Sequence, residues 1–531
     1  MKRLIIATIL LMTATVFITV VYFKNLNNPT QHTSQVLRII PNNASLIFEF
    51  NNEKGFYDIF TDNKLFTNLI GEDKMAELAA LKKLLLQNRL IEPYVNGQNL
   101  YISLHPQQGN TIDFLLTIPM LKGFEPQLFD AISKQKKNGL VLNTFNTAGE
   151  QGYIIYLNDL KKRFYLFAKD ENALMGSFSK DLVEACAKYD YKKEKQAFVL
   201  LSDRQSSNSL ANLYVNYQAL SPLFEQLFIS KNTDIFKSFR QLPAFGALSL
   251  NYKRGALMFN GTTQPQNNSE NSYLGLFLYQ QPVAYRLKSI FPSTTAYYTS
   301  FAVSDPVKFE TDLSDWQLKS DLKGEASALT KKIKTETGVD PQKEFAQLLN
   351  NEFAFVTTRY QEKIAIIQVN DGSKMRMMMV NLSKMNNDDI GQLNYEKLPQ
   401  LLLGNAFTVF KKPYFKVIDN YLILTNTMSE LASYDDSYNN HKFLNKTEGY
   451  DQFDALLAER GNVSFFVQFK NAQPLLKQNL KPEFYNHFES LNPGWKNFYG
   501  AAWQFTSSDK NYYTNFCVGL NSDTTIIKSN F

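Results

Sequence analysis

The residues that most often carry chemistry are scarce in this sequence. Two cysteines, Cys186 and Cys517, exclude a disulfide framework. One long-range bridge between them stays open in an oxidising compartment, but two buried free thiols are the expectation. The four histidines, His32, His105, His441 and His487, are scattered, with no Cys, Asp or Glu at metal-ligand spacing, and each is expected at the surface. No G-x-S-x-G, G-x-G-x-x-G or G-x-x-x-x-G-K-[ST] occurs. The sequence therefore assigns no catalytic residue, no metal and no cofactor. Nor is one charge in large excess. The 56 basic and 50 acidic residues are mixed along the chain and leave a net +6, which gives no reason to expect a nucleic-acid partner.

Some runs resemble sites and have plainer readings. Asp388-Asp389 and Asp435-Asp436 read as polar loops, and Asp435 to Asn440 lacks the central glycine of a calcium loop. Lys374-Met-Arg-Met-Met-Met379 reads as a strand with methionines on both faces rather than a metal-binding thioether cluster. The basic runs 192–195 and 331–334 read as solvated faces, with attraction to anionic lipid as the alternative.

Aromatic residues are what the chain has in plenty: 42 Phe and 28 Tyr against 3 Trp. Phe and Tyr suit pleated, half-buried surfaces, so β-rich cores are expected, with an aromatic-lined groove for sugar, lipid or peptide as the alternative. At 531 residues the chain is too long for one hydrophobic core, so two or more domains are expected.

Lys2 and Arg3 precede an uncharged run from Leu4 to Phe23, closed by Lys24. About twenty residues at 1.5 Å rise form a helix of roughly 30 Å, enough to cross a bilayer core. The run ends in Val20-Val-Tyr-Phe23, which offers a signal peptidase no small-residue site. Residues 1–24 are thus expected to be an uncleaved signal anchor with the N-terminus inside; secretion after cleavage is the alternative. Residues 25–35, rich in Asn, Thr, Ser and Gln, read as a tether.

Beyond the tether the chain repeats itself. Pro41 and Phe50 correspond to Pro292 and Phe301, both 251 residues on. Asn99-Leu-Tyr-Ile102 resembles Glu352-Phe-Ala-Phe355 at a spacing of 253, and Tyr165-Leu166 resembles Tyr421-Leu422 at 256. Tyr214 to Leu223 resembles Phe466 to Leu475 at 252, and Gly246-Ala247 resembles Gly500-Ala501 at 254. Collinear matches that drift by only a few residues are what a duplication with short loop indels leaves behind. The expected copies span 36–263 and 283–520, with a linker at 264–282 and a tail at 521–531.

Each copy reads as an apolar opening strand, a helical stretch and a meander of short strands, followed by a helix, another strand, another helix and closing strands. Helices are expected over 64–89, 172–189 and 429–438. A further helical stretch, 305–349, breaks near Gly338 and restarts at Asp340-Pro341. The expected fold class is α+β: two tandem diverged copies of one domain with mostly antiparallel sheets, preceded by an N-terminal transmembrane helix.

The opening of each copy, Pro followed by small polar residues and an aromatic strand, resembles a group of bacterial envelope proteins with a domain of unknown function (number 3352). The later aromatic strand leading to Pro-Leu, Tyr214 to Leu223 and Phe466 to Leu475, belongs to the same pattern. The resemblance implies an exported, anchored protein in a bacterium and supplies no activity. The expected location is the inner membrane, single pass, with the bulk of the chain in the periplasm. The leading functional expectation is a non-enzymatic protein that binds a partner protein, a peptide or an envelope polymer. The alternatives are an envelope hydrolase whose site is assembled from distant residues, and a carrier holding a hydrophobic ligand in an aromatic-lined cavity.

Overall fold

A computed structural model describes residues 30–52, 67–68, 71–107, 112–120, 125, 128–129, 131, 141–170, 173–193, 209–229, 242–253, 255–266, 272–319, 323–490 and 494–521. The expected signal anchor (1–24), residues 25–29 of the tether and residues 522–531 of the tail lie outside the described residues. Among the described residues no helix is long and apolar enough to cross a membrane. The class is α+β, with antiparallel strand pairing throughout the registers given below. The chain divides into two compact units, 1–59 with 76–214 and 60–75 with 215–531, so the division falls inside the span read as the first copy.

In the first unit the strands are β1 (Leu46–Asn51), β2 (Asn99–Pro106), β3 (Ile112–Pro119), β4 (Val141–Thr147), β5 (Glu150–Leu157), β6 (Lys162–Lys169), β7 (Ala173–Ser177) and β8 (Ala211–Asn216), the last belonging here up to Tyr214. Neighbours run β4-β5-β6-β7-β3-β2-β1-β8. Period-two alternation is plain in β2, where Tyr101, Ser103 and His105 are buried and the residues between them are half-buried. The helices are α1 (Thr30–Ile39), α2 (Glu72–Leu81), which belongs here from Ala76 on and continues as a π-helical turn over Lys82–Leu86, and α3 (Lys180–Lys188). Ser179 caps α3 by accepting the Leu182 amide, and Leu182, Val183 and Cys186 pack with Leu115, Phe167 and Met175 of the sheet.

The second unit holds β9 (Ala244–Lys253), β10 (Ala256–Pro265), β11 (Val283–Ala284), β12 (Thr295–Ala302), β13 (Leu349–Thr358), β14 (Lys363–Val369), β15 (Ser383–Met385), β16 (Ile390–Leu393), β17 (Tyr414–Ile418), β18 (Tyr421–Thr425), β19 (Arg460–Gly461), β20 (Val463–Gln468), β21 (Phe498–Ser508) and β22 (Asn511–Leu520). All but β11 and β19, which pair with each other, join one antiparallel series: β15-β16-β17-β18-β14-β13-β12-β20-β21-β22-β10-β9. Its helices include α4 (Tyr217–Leu227), α5 (Pro306–Lys319), α6 (Lys323–Thr337), α7 (Pro341–Leu348), α8 (Gly372–Asn381), α9 (Met428–Asn439) and α10 (Phe469–Asn479). Asp340 caps α7 and Pro341 opens it, as the sequence indicates. The core is filled by rings: Phe277, Phe301, Phe309, Phe353 and Phe407 are fully buried, with neighbouring centroids 5.2 to 6.3 Å apart.

Two contacts in this unit pair segments far apart in sequence. In the β10–β22 ladder Asn260 faces Asn515, and its Nδ2 donates to Asn515 Oδ1 at 2.8 Å. Asn251 Nδ2 donates to Asn260 Oδ1, and Asn515 Nδ2 to Gln504 Oε1, so an amide ladder crosses β9, β10, β22 and β21. Just past the ends of α4 and α10, Phe228 bridges Leu480, with Ile229 donating to the Asn479 carbonyl and Lys481 to the Leu227 carbonyl.

Several expectations are corrected. Residues 30–35 of the tether form the start of α1, a helix that continues into the buried Val36, Leu37 and Ile39. Within 264–282, the span read as a linker, Gln264 and Pro265 finish β10 and Tyr273–Phe277 form a fully buried 3₁₀ turn. The run 374–379 lies in α8, not a strand. Asp371 caps that helix, and Met375, Met378 and Met379, at i, i+3 and i+4, are buried on one face. Of the helix expected over 172–189, Lys180–Lys188 is helical but Ala173–Ser177 form β7, whose Gly176 leaves room for the Phe164 ring. Asp435-Asp436 lies within α9, not in a loop, with Asp435 paired to Lys416 and Asp436 to Lys442.

Gly261 sits beside Asn260 in β10, and a Cβ there would overlap the Ala247 carbonyl oxygen and meet Leu248 Cα at 2.8 Å. Gly261→Ala is therefore expected to destabilise the second unit by about 2 kcal/mol or more. Gly324→Ala, at an exposed place on α6 with nothing within 4 Å, is expected to be neutral or slightly stabilising. Urea denaturation of both variants checks the contrast.

Candidate functional site

The first unit carries a buried polar stripe across β1, β2 and β8. Glu49 lies in the middle of the apolar strand Leu-Ile-Phe-Glu-Phe and is only 2% exposed. A buried carboxylate is costly unless its lone pairs are met. Here Oε1 accepts from Asn99 Nδ2 and the Tyr101 hydroxyl, both at 2.8 Å, and Oε2 accepts from Asn212 Nδ2 at 3.0 Å and the Tyr214 hydroxyl at 2.7 Å. The donors come from two Asn-Leu-Tyr tripeptides, 99–101 and 212–214, on the strands flanking β1. Residues i and i+2 of a strand share a face, which aims each Asn and Tyr at the same carboxylate. Burial first, then the charge of Glu49, pushes the Tyr214 hydroxyl well above its ordinary pKa, so it stays a donor. The repeated tripeptide was the signal in the sequence; the glutamate it clamps had none of its own.

Two residues further along β2 sits a hydrogen-bonded Ser–His–Asn series. Ser103 Oγ lies 2.8 Å from His105 Nε2, and His105 Nδ1 lies 2.9 Å from Asn43 Oδ1. With Asn43 Oδ1 as acceptor, the imidazole carries its proton on Nδ1 and Ser103 donates to Nε2. Those roles match a nucleophile, its base and the group that orients the base. The surroundings do not. Ser103 and His105 are both fully buried, so His105 is a core residue rather than the surface histidine expected. Burial lowers its pKa from 6.5 to about 3, which sets about 5 kcal/mol against the imidazolium that a general base must form. The series is a hydrogen-bonded chain whose Ser103 and His105 lie in the core. His441 is exposed, as expected.

A second polar centre belongs to the second unit. Tyr285, Lys288, Tyr298, Ser300, Leu457, Ser464 and Gln504 line a small cavity with room for about one water molecule. Lys288 Nζ donates to both oxygens of Asp454, at 2.5 and 2.7 Å. Nearby, Glu352 Oε2 accepts the amides of Arg286 and Leu287 at 2.7 and 2.9 Å. Among the described residues no group of three or more His, Cys, Asp or Glu is arranged to hold a metal ion. Cys186 and Cys517 are free and buried, and burial raises each thiol to about 12, so neither is a thiolate at neutral pH.

Two outcomes follow. Glu49→Gln turns one acceptor into an amide that faces buried donors, and is expected to cost the first unit about 2–4 kcal/mol in urea unfolding; a change below about 0.5 kcal/mol would show the clamp to be incidental. His105 has a folded pKa far below its unfolded value, so its contribution is intact above pH 6.5 and is lost as pH falls toward about 3. Unfolding free energy is expected to fall by about 3 kcal/mol between pH 6.5 and about 4.5 from this residue, a slope that His105→Asn removes.

Against known proteins, no family model matches the chain and no curated protein matches it. A solved structure titled "Structure of crystal form I of TP0453" is similar over 44% of this chain and 78% of that one, at 12% identity and a TM-score of 0.24, too low to carry an argument.

Proposed function

We propose that the chain is a membrane-anchored envelope protein built from two diverged copies of one domain, and that it acts by binding a partner protein or an envelope polymer rather than by catalysis. The observation that carries this reading is the strand order. The series β4-β5-β6-β7-β3-β2-β1-β8 of the first unit has the same connectivity as β15-β16-β17-β18-β14-β13-β12-β20 of the second. Registers agree as well: Phe50 faces Leu100 as Phe301 faces Phe353. Asn216 caps α4 and Gln468 caps α10, each with a proline at the sixth residue of its helix. Asn260 pairs with Asn515 and Phe228 with Leu480, and these pairs are spaced 255 and 252 residues apart, within the 251 to 256 of the sequence echoes.

The anchor rests on Lys2, Arg3 and the apolar run from Leu4 to Phe23. A non-catalytic role is favoured because the Ser103–His105 pair is sealed in the core. The carrier reading is disfavoured because stacked rings fill the interior of the second unit.

The test is an affinity pull-down of the full-length chain from detergent-solubilised envelopes, with mass spectrometry of proteins and small molecules. A specific protein or glycan partner is expected. A reproducible hydrolytic turnover by the purified chain, abolished by Ser103→Ala without loss of folding, would overturn the binding reading in favour of a hydrolase.

A further inference from the structure

The two polar centres treat their carboxylates differently. Each oxygen of Glu49 accepts from an Asn amide and a Tyr hydroxyl. Glu352 stands in β13 one residue before Phe353, which faces Phe301, just as Asn99 stands one residue before Leu100, which faces Phe50. There the carboxylate has met only half of its needs. Oε2 takes two backbone amides from the turn at Arg286 and Leu287, while Oε1 is buried with no partner among the described residues, and the residue is 1% exposed. A bare carboxylate oxygen in such surroundings is far more costly than the hydroxyl of a neutral acid.

We propose that Glu352 is a proton-binding site, in which Oε1 carries a proton while Oε2, as the carbonyl oxygen, continues to accept the amides of Arg286 and Leu287. The division of labour fits a neutral carboxyl group, with one oxygen that accepts and one that bears hydrogen. Charged and titratable groups surround it from several elements. Arg286 and Lys288 come from the clamped turn, Tyr285 precedes it, and Tyr421 begins β18. Lys288 is already engaged with Asp454, which limits how far it can neutralise Glu352. The Tyr285 hydroxyl is itself buried without a partner among the described residues, and burial, then Tyr298 and Glu352, push it well above its ordinary pKa.

Burial raises the Glu352 carboxyl from 4.5 to about 7, against the lowering effect of the two amides and the two cations. The proton is therefore exchanged near neutral pH. A folded pKa above the unfolded one means that the site's stabilising contribution is complete below pH 4.5 and is lost as pH rises through about 7. Locally the opposite holds: once the proton leaves, the two amide bonds become charge-assisted and the turn at 286–290 is held more tightly.

Hydrogen exchange of the full-length chain in detergent, corrected for intrinsic rates, tests this at the Arg286 and Leu287 amides. Protection is expected to rise several-fold with a midpoint near pH 7 in the wild type and to stay flat in Glu352→Gln, which imitates the neutral acid. Infrared difference spectra between about pH 5.5 and about pH 8.5 are expected to show the loss of one protonated-carboxyl band, absent from the variant. Because the wild-type titration stands by itself, a variant that fails to fold does not blunt the test. Flat protection in the wild type with no carboxyl band would overturn the proposal.

Discussion

Eight residue pairs, from Ala256 opposite Gly519 to Thr263 opposite Tyr512, join β10 to β22 and so unite two hairpins separated by about half the chain. That ladder attaches the β9–β10 hairpin to the rest of the second unit's sheet. β9 reaches the sheet through β10, and β21 reaches it through β22 as well as through β20. Closing an edge strand on its counterpart removes two rows of unpaired backbone groups at once, which is why hairpins ending separate segments gain by meeting. The division between compact units consequently falls at 214/215, well before the polar stretch that looks like a linker.

The amide ladder through Asn251, Asn260, Asn515 and Gln504 obeys a second constraint. At its inner end Asn515 and Gln504 are buried in low dielectric, where each polar side chain must find its partner among neighbours in the fold. Gln504 Oε1 accepts from Ala458 N as well as from Asn515, and its Nε2 donates to the Ala458 carbonyl, so the ladder ends on a backbone group. Glu49 follows the same rule on both oxygens. Glu352 follows it on one oxygen only.

What could be read along the chain was whatever is local. The strands over 99–106, 112–119, 363–369 and 421–425 declare themselves by aromatic and β-branched residues between turn signals, and Asp340-Pro341 declares a helix start. The methionine run could not be read, because consecutive apolar residues satisfy period two and period 3.6 alike; Asp371 at the N-cap and the sheet beside it selected the helix. Ala173 to Ser177 are helix-compatible residues that became a fully buried strand between β3 and β6. Local preference is worth tenths of a kcal/mol per residue and yields to a place in the middle of a sheet.

The sequence by itself determined the α+β class, the ring-filled cores, the absence of a disulfide framework and the collinear echoes spaced 251 to 256 residues apart. All of these follow from composition and short-range pattern. Tertiary structure alone decided that His105 is sealed beside Ser103, that Glu49 is clamped by residues 50 to 165 positions away, and that one Glu352 oxygen has no partner among the described residues. Burial and hydrogen-bond partnership depend on which strands lie side by side, and strand neighbours are set by chain crossings that no local window contains.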